Sequence, residues 1–558
     1  MSDDHQPAGS WDLEGDGADG SGHGLHARIE GPVAFDRAAS GAFVGPIARF
    51  QGDARLVVDP PGGLGRGDLT VAAWVNAAAR PTTVLGDVLA RFDPVRRRGF
   101  TLGFEHGAPC GSHGNDRTAW FGVDSGTTPI LEDHGRPGDE STVMICSLAA
   151  FDGALYAATW ESGSQPRGRV FRLDGASWVD CGSPWDANAV TRLAVHDGAL
   201  FAGVSRLRGG GSGLEDSANQ APGGRILRYE GGTRWADMGQ LDGADSVTAL
   251  VTFGGSLYAA PMYQEGLFRF DGPGVWSPCG SPGRRLLALG VHAGDLYGAG
   301  NDHAQVDSAI AMTKAGVVVP AREAAGGGGV FRYDGGEAWT SRGLQPDTTQ
   351  LYSIETYGGQ MYIGTWPTGQ VFRARDLDAV GDAGWESTGH LGSETEVMNL
   401  QAYNGKLYAG TLPLAQVYRF DGDDAWTLLA TLDGTPDVRY RRAASMVLFG
   451  GRLFVGTLPS AHVHSMGAGS VASNDRSLPV GWHHVAGVRR GGSTALYIDG
   501  VLVARGAGAL PAAGPDDIDA PLVIGGGSRA GFEGDLARVR IWDRALGDGE
   551  VAEAASLR

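Results

Sequence analysis

Seven copies of one hairpin pattern occupy the middle of this 558-residue chain and restrict what it can fold into. Each copy has an apolar segment, a tight turn that contains glycine, and then LYAGT or a close variant. Alternating apolar residues around DG, GG or NG turns predict a β-hairpin. The copies begin at residues 148, 193, 249, 289, 354, 400 and 446.

A second hairpin follows the first in six of the seven copies, as in GRVFRLDGASW and AQVYRFDGDDAW. Each repeat therefore holds four short strands, and a spacing of about forty to sixty residues is typical of a β-propeller blade of generic, kelch-like type. The seventh copy breaks off at SAHVHSMGAG. We expect a seven-bladed propeller, or a six-bladed one if that copy stays incomplete. The entering segment TTPILEDH should supply the missing outer strand and so remove an open sheet edge.

Tryptophan recurs in register after the second hairpin of these repeats. A residue that returns at one place in every blade is most simply explained by packing, and we expect the indoles to cover the boundaries between neighbouring blades. The residues are Trp178, Trp235, Trp276, Trp339, Trp385 and Trp426.

The segments on either side of the repeats have a different pattern. The first contains WDLEGDGADGSGHG and DLTVAAWVNAAA, and the second contains GWHHVAGVRRGGSTALYIDGVLVARG and GFEGDLARVRIWDRALGDGEV. Together they resemble the two halves of a bacterial laminin-G-like jelly roll, of the concanavalin A-like lectin/glucanase type. The predicted fold is thus all-β: a jelly-roll sandwich at 8–130 and 468–558 with a β-propeller inserted at 131–467.

The resemblance implies a structural calcium ion. Its ligands would come from the stretch that contains Asp19 and His23 and from a loop near the end of the fold that contains Asp535. His23 stands where the family usually has asparagine, so its backbone carbonyl would have to serve. Carboxylate and carbonyl oxygens are the donors that calcium prefers.

Charge and hydropathy exclude some partners. The formal net charge of −19 repels phosphate backbones, so we expect no nucleic-acid partner. No apolar run reaches membrane-spanning length, so no membrane insertion is expected. The N-terminus shows no Sec signal, which leaves the compartment undecided: cytoplasmic by default, extracellular if another export route applies.

Residues that depart from the repeat point to a binding site. The connection after LYAGT and the connection between blades should emerge on one face of the ring, and two long insertions, beginning at residues 205 and 301, crowd that rim. Aromatic faces beside amides and carboxylates suit a sugar, because CH groups stack and hydroxyls form hydrogen bonds. The predicted ligand-binding residues are Trp160, Glu161, Tyr263, Asp302, His303, Trp366, Gln370, Gln416 and His462.

Three functions fit this organisation. The first is noncatalytic recognition of a glycan or a protein surface by the propeller rim, the jelly roll or both, with no catalytic residue assigned. The second is a glycan hydrolase or lyase with a propeller active site, which would draw a carboxylate pair from Glu161, Glu265, Asp302 or Glu394. The third is a protein interaction scaffold. Asp-box, nucleophile-elbow and HExxH motifs are absent from the sequence, which disfavours the enzyme.

Overall fold

A computed structural model provides the fold of the chain. It describes residues 6–39, 41–59, 64–65, 67–105, 117–163, 166–212, 214–301, 328–344, 350–379, 381–508, 510 and 518–556.

Nine strands precede the repeats. Along most of these strands, buried and exposed side chains alternate or both faces are buried, as expected for the layers of a sandwich. They are β1 Gly9–Trp11, β2 Arg28–Glu30, β3 Ala34–Ala38, β4 Gly45–Phe50, β5 Arg55–Val58, β6 Leu69–Ala77, β7 Asp87–Asp93, β8 Arg98–Glu105 and β9 Thr118–Ser125.

The repeat region adds a further set of strands. The first are β10 Ile130–Asp133, β11 Thr142–Phe151, β12 Ala154–Glu161, β13 Val170–Asp174, β14 Ser177–Asp180, β15 Ala189–His196, β16 Ala199–Ser205, β17 Arg225–Tyr229 and β18 Trp235–Gln240. Next come β19 Val247–Phe253, β20 Ser256–Pro261, β21 Phe268–Gly272, β22 Val275–Pro278, β23 Arg285–His292, β24 Asp295–Asn301, β25 Gly329–Gly335 and β26 Ala338–Leu344. The last are β27 Gln350–Tyr357, β28 Gln360–Trp366, β29 Gln370–Ala374, β30 Trp385–His390, β31 Glu396–Tyr403, β32 Lys406–Leu412, β33 Gln416–Gly422, β34 Ala425–Thr431, β35 Arg442–Phe449, β36 Arg452–Leu458 and β37 Val463–Gly467.

Six strands and a helix complete the chain. They are β38 Ser470–Ser477, β39 His483–Arg490, β40 Ser493–Ile498, β41 Val501–Arg505, β42 Leu522–Ile524, β43 Gly534–Trp542 and α1 Asp548–Ser556. Within the described residues, no helix has the length and apolar character needed to cross a membrane.

Strands from both ends of the chain build a two-sheet sandwich. One sheet has the order β3-β4-β43-β6-β39-β40-β41 with β1 beside β43, and the other has the order β2-β5-β42-β7-β8-β9-β38. Large apolar side chains fill the space between them, including Trp11, Phe50, Phe100, Phe121 and Phe532. Neither sheet is complete without the strands that follow the repeats, as the jelly-roll prediction requires.

The repeats form a propeller arrangement. Five separate four-stranded sheets are β19–β22, β23–β26, β27–β30, β31–β34 and the set β10-β37-β36-β35. The first strands of successive sheets contact one another, and β35 contacts β11, so the ring is closed.

The expected count of seven or six separate blades is corrected to five. Strands β11–β18 of the first two repeats share one eight-stranded sheet. The reason lies at the end of β12, where Trp160 pairs with Ala189 of β15 and the Glu161 N–H donates to the Asn188 carbonyl at 3.0 Å. These bonds continue one sheet into the next.

The predicted closing strand is present. Strand β10, from the segment TTPILEDH, pairs antiparallel with β37 and places Asp133 opposite His464. The last sheet therefore combines one strand from before the repeats with three from their end.

The predicted packing role of the repeated tryptophans is confirmed. Each indole Nε1 donates to a backbone carbonyl of the preceding repeat or of the closing segment at 2.9–3.0 Å. The acceptors of Trp178, Trp235, Trp276, Trp339, Trp385 and Trp426 are respectively His134, Cys181, Met238, Cys279, Arg342 and Thr388.

A buried group of charges joins the sandwich to the propeller; we call Glu105, Glu355, Gln401 and Arg529 the junction cluster. Arg529 Nη1 lies 2.8 Å from Glu105 Oε2, and its Nη2 lies 3.2 Å from Glu355 Oε1. Gln401 Nε2 donates to Glu105 Oε1 at 2.8 Å. The two carboxylates and the guanidinium are at most 3% exposed. One cation therefore neutralises acids from two domains.

Candidate functional site

Polar side chains collect at one end of the ring, where the first strands of several sheets begin. We call Arg285, Gln350, Tyr352, Glu396 and Arg442 the mouth cluster. Arg285, Gln350, Glu396 and Arg442 each open the first strand of their sheet, and Tyr352 sits at a register shift two residues into β27. Because the first strands of neighbouring sheets are in contact, these side chains come together at one end of the ring, which we call the mouth.

Hydrogen bonds connect the mouth cluster across sheets. The Tyr352 hydroxyl donates to Gln350 Oε1 at 2.8 Å, and Arg285 Nη2 donates to the same oxygen at 3.4 Å. Burial raises the pKa of Glu396 to about 7, although the nearby Arg442 charge and the Tyr352 hydroxyl oppose that rise. Among the described residues, Glu396 Oε1 has no hydrogen-bond partner. The mouth thus holds a carboxyl group that titrates near neutral pH.

The turn from Trp366 to Gln370 borders the mouth; we call it the rim turn. Trp366 is the cross-strand neighbour of Gln350. Gln370 Nε2 lies 2.8 Å from His390 Nε2, and His390 Nδ1 lies 2.9 Å from the Thr368 carbonyl. The rim turn therefore presents an amide and an imidazole in fixed positions close to an indole.

Trp366 differs in exposure from its equivalents in the next two repeats. Leu412 and Leu458 occupy the same register and are at most 1% exposed, whereas Trp366 is partly exposed. Part of the Trp366 ring therefore remains accessible, although a large apolar side chain at this register is buried in the next two repeats.

The other predicted rim residues have their own partners. Gln416 Oε1 accepts a hydrogen bond from the Tyr418 hydroxyl at 2.6 Å, and His462 Nδ1 lies 2.9 Å from Asp133 Oδ2. Tyr263 accepts from the backbone N–H of Arg208 at 3.1 Å, and the Arg208 guanidinium covers its ring at 4.3 Å. Asp302 and His303 lie outside the described residues.

Two predicted ligand residues are in the interior instead. Trp160 is 1% exposed, and Leu207 and Leu214 of the first long insertion pack against its cluster. Glu161 is fully buried and forms an ion pair with Arg169 at 3.2 Å. Neither side chain is exposed at the rim in this arrangement, and the stacking and polar roles of Trp160 and Glu161 stay predictions.

The predicted calcium ligands are engaged by the chain itself. Each carboxylate oxygen of Asp19 accepts two hydrogen bonds at 2.7–3.0 Å. Oδ1 accepts from the backbone N–H groups of Ser10 and Ser21, and Oδ2 accepts from the Ser21 hydroxyl and the Leu25 N–H. Burial acts to raise the pKa of Asp19, but these bonds outweigh it and hold the pKa below its ordinary value. Asp535 accepts from Arg49 at 2.8 Å and from Asn76 at 3.2 Å, and His23 is exposed. In this arrangement the Asp19 carboxylate has no open lone pair for a cation, and calcium binding stays a prediction.

Replacing Asp19 with alanine should lower Tm in calcium and in chelator alike. Three backbone N–H groups and a hydroxyl would lose their acceptor, a cost of about 1–3 kcal/mol. Thermal unfolding of wild type and Asp19→Ala, each with calcium and with a chelator, separates the two roles. A chelator effect in wild type that vanishes in the variant would establish a calcium ion at this turn, and no effect in either would reject it.

The mouth cluster was missed by sequence reasoning. Its signal is a charged residue at the start of an otherwise apolar first strand, as with Glu396 in ETEVMNLQAY and Arg442 in RRAASMVLF. Pattern analysis treats such residues as strand ends. Only the closed ring brings them together.

Comparison with protein families identifies part of the chain. Residues 426–552 match the Laminin_G_3 model of the concanavalin A-like lectin/glucanases superfamily. The match covers the sandwich strands that follow the repeats and also strands β35–β37 of the propeller. No curated protein matched the sequence.

Several solved structures are distantly similar. Catalytically inactive virginiamycin B lyase from Staphylococcus aureus with quinupristin is 10% identical, with a TM-score of 0.45 over 61% of this chain and 99% of that one. The WD40 propeller domain of Doa1 is 9% identical, with a TM-score of 0.41 over 60% and 97%. A putative oxidoreductase (glucose dehydrogenase) from Thermus thermophilus is 11% identical, with a TM-score of 0.33 over 61% and 99%. At these values the similarities carry no functional argument.

Proposed function

We propose that this chain is a noncatalytic recognition protein that binds a glycan at the propeller mouth, with the rim turn as its platform. The observation that carries the proposal is that one turn holds the partly exposed Trp366 at its start and Gln370, which is paired with His390, at its end. An indole face accepts the CH face of a sugar, while amide and imidazole groups bind its hydroxyls. Gln416 and Tyr263 would extend the polar lining of the same rim.

A second candidate function rests on Glu396. A carboxyl group that titrates near pH 7 is suited to general acid or base catalysis. Glu394 lies two residues before Glu396, just ahead of strand β31, and would be the second carboxyl group. It is 4% exposed, and burial raises its pKa. A glycan hydrolase or lyase would use such a pair.

One experiment separates recognition from turnover. A glycan array probed with the full chain finds a ligand, and an assay for new reducing ends or unsaturated products on that ligand detects chemistry. Binding without product supports recognition. Product formation that is lost in Glu396→Gln would support the enzyme instead, and binding of proteins alone would support a scaffold.

Replacing Trp366 with alanine should weaken glycan binding selectively. Loss of the stacking surface corresponds to about 1–3 kcal/mol, the scale of a large apolar side chain, while Tm changes little because part of the ring is already exposed. Isothermal titration calorimetry against the ligand from the array measures the change in Kd.

Trp276→Ala is the matched control. Its indole spans two sheets and donates to the Met238 carbonyl at 3.0 Å, so its loss should lower Tm first. If Trp366→Ala leaves the affinity unchanged while Arg538→Ala abolishes it, the ligand binds the sandwich instead. Arg538 lines a surface pocket there with Asp12 and Arg540.

We also propose that the two halves of the eight-stranded sheet act as separate blades of a seven-unit ring. Strands β11–β14 and β15–β18 each repeat the antiparallel order of the other sheets, and one residue pair, Trp160 with Ala189, connects β12 to β15. The assignment predicts similar hydrogen-exchange protection for β11 and β15.

A further inference from the structure

Three potential metal ligands meet where the ring closes. Asp133 of strand β10 lies directly across from His464 of strand β37, and His462 precedes His464 by two residues. Cross-strand partners share a face of the sheet, as do residues two apart on one strand. One ligand atom from each side chain lies within 4.8 Å of the other two.

The His464 imidazole is buried and lacks a hydrogen-bond partner in the part of the chain that the structure describes. It is 8% exposed, and among the described residues neither ring nitrogen has a hydrogen-bond partner. The nearest carboxylate oxygen, Asp133 Oδ1, lies 3.9 Å from His464 Nδ1, which is beyond hydrogen-bond distance. Buried polar side chains are nearly always satisfied, so this imidazole lacks a partner that the described chain does not supply.

The surroundings close one side of the site and leave the other accessible. Met466, two residues after His464 on the same strand, is buried in one apolar cluster with Leu432 and Val417. In contrast, the side chains of His462 and Asp133 are 35% and 48% exposed. An ion could enter from solvent and still reach the buried imidazole.

We propose that Asp133, His462 and His464 bind a divalent transition-metal ion, with zinc as the best fit, at the seam of the propeller. Two imidazole nitrogens and one carboxylate oxygen are a donor set of zinc, and a solvent molecule completes four-coordination. Calcium is disfavoured because it takes oxygen ligands. The ion links the strand that precedes the repeats to the strand that ends them.

This arrangement predicts that the metal stabilises the closed ring. Only the folded chain brings Asp133 to the two histidines, so metal binding raises stability by mass action. The site is separate from the rim turn, and glycan binding is not needed to test it.

The test uses the full chain without an affinity tag, stripped of metal by a chelator and then dialysed. Titration with Zn²⁺ in competition with a chromogenic chelator should show one tight site, and Tm should rise with Zn²⁺. Co²⁺ should give the visible ligand-field absorption of a four-coordinate nitrogen and oxygen site. Three variants remove one ligand each: Asp133→Asn, His462→Ala and His464→Ala.

Each variant should weaken Zn²⁺ binding by more than about 100-fold, since even groups that only support a ligand are worth about 10–100-fold. If His464→Ala does not fold, Asp133→Asn still tests the site, because the Asp133 side chain is exposed and its replacement should leave the core intact. His134→Ala is the matched control: its Nε2 bonds to Ser465 Oγ at 2.8 Å on the opposite face, so it should retain the site. Absence of a tight site in wild type, unchanged affinity in all three variants, or an equal loss in His134→Ala would each overturn the proposal.

Discussion

Replacing Arg529 with methionine is expected to lower the free energy of unfolding by about 3–5 kcal/mol, because two buried carboxylates would lose their only shared cation in the junction cluster. Burial raises the pKa of Glu355, and the Arg529 charge is the largest influence that opposes this rise. Without Arg529, the acids from sandwich and propeller repel each other in a medium that excludes water. Urea unfolding followed by tryptophan fluorescence measures the loss.

Arg28→Met is the matched control. Its side chain is 57% exposed and pairs with Glu30 on the surface, where solvent screens the interaction, so its loss should leave stability almost unchanged. Adding Glu355→Gln to Arg529→Met should recover part of the stability, since one uncompensated charge is removed. A small effect of Arg529→Met, equal to that of the control, would show that the junction cluster does not join the two domains energetically.

The Glu396→Gln variant should become more stable relative to wild type as pH rises. The pKa of Glu396 is about 7 in the folded protein and near the ordinary 4.5 once unfolded. The folded state therefore holds an extra proton between these values, and wild-type stability falls as pH rises through that window. By pH 8 the difference between variant and wild type should have shifted by on the order of 3 kcal/mol from its value at pH 4.

Glu386→Gln provides the comparison for this pH series. Hydrogen bonds from Arg375 and Arg373 lower the pKa of Glu386 to about 2, so this exposed group does not titrate between pH 4 and 8. The unfolded group titrates near its ordinary pKa of 4.5, so the variant should run parallel to wild type from about pH 6 to pH 8, where Glu386 is ionised in both states. Chemical denaturation at each pH supplies the data, and parallel profiles for Glu396→Gln and wild type would show that folding does not raise the pKa of Glu396.

Local patterns were enough to predict much of the fold. The closing strand β10 and the packing role of the tryptophans follow from alternation, turn residues and repeats, which act over short distances along the chain, whereas the sandwich built from both ends of the chain follows from the family resemblance. The joined sheet of β11–β18 was not predictable in this way. The joined sheet depends on strand β12 extending far enough for Trp160 to pair with Ala189 of β15. No pattern of residue types predicts that length.

The candidate site was predicted less well, for a physical reason. Trp160 and Trp366 occupy the same place in their repeats, yet Leu207 and Leu214 cover the first and not the second. Glu396 and His464 look like ordinary strand residues until the closed ring supplies their neighbours. Burial and pairing of this kind come from tertiary structure, and a single sequence does not specify them.

The interrupted sandwich has a consequence for how a ribosome delivers this protein. Thr70 bonds to Arg544, a partner 474 residues further along the chain. At a synthesis rate of about 5–20 residues per second, the early strands wait roughly 25–100 seconds for the strands that complete their sheets. The ring in between must wait for β37 before β10 can close it. During that interval the edges of β6 and β9 are open to other chains, so we expect the nascent protein to depend on chaperones far more than the finished one.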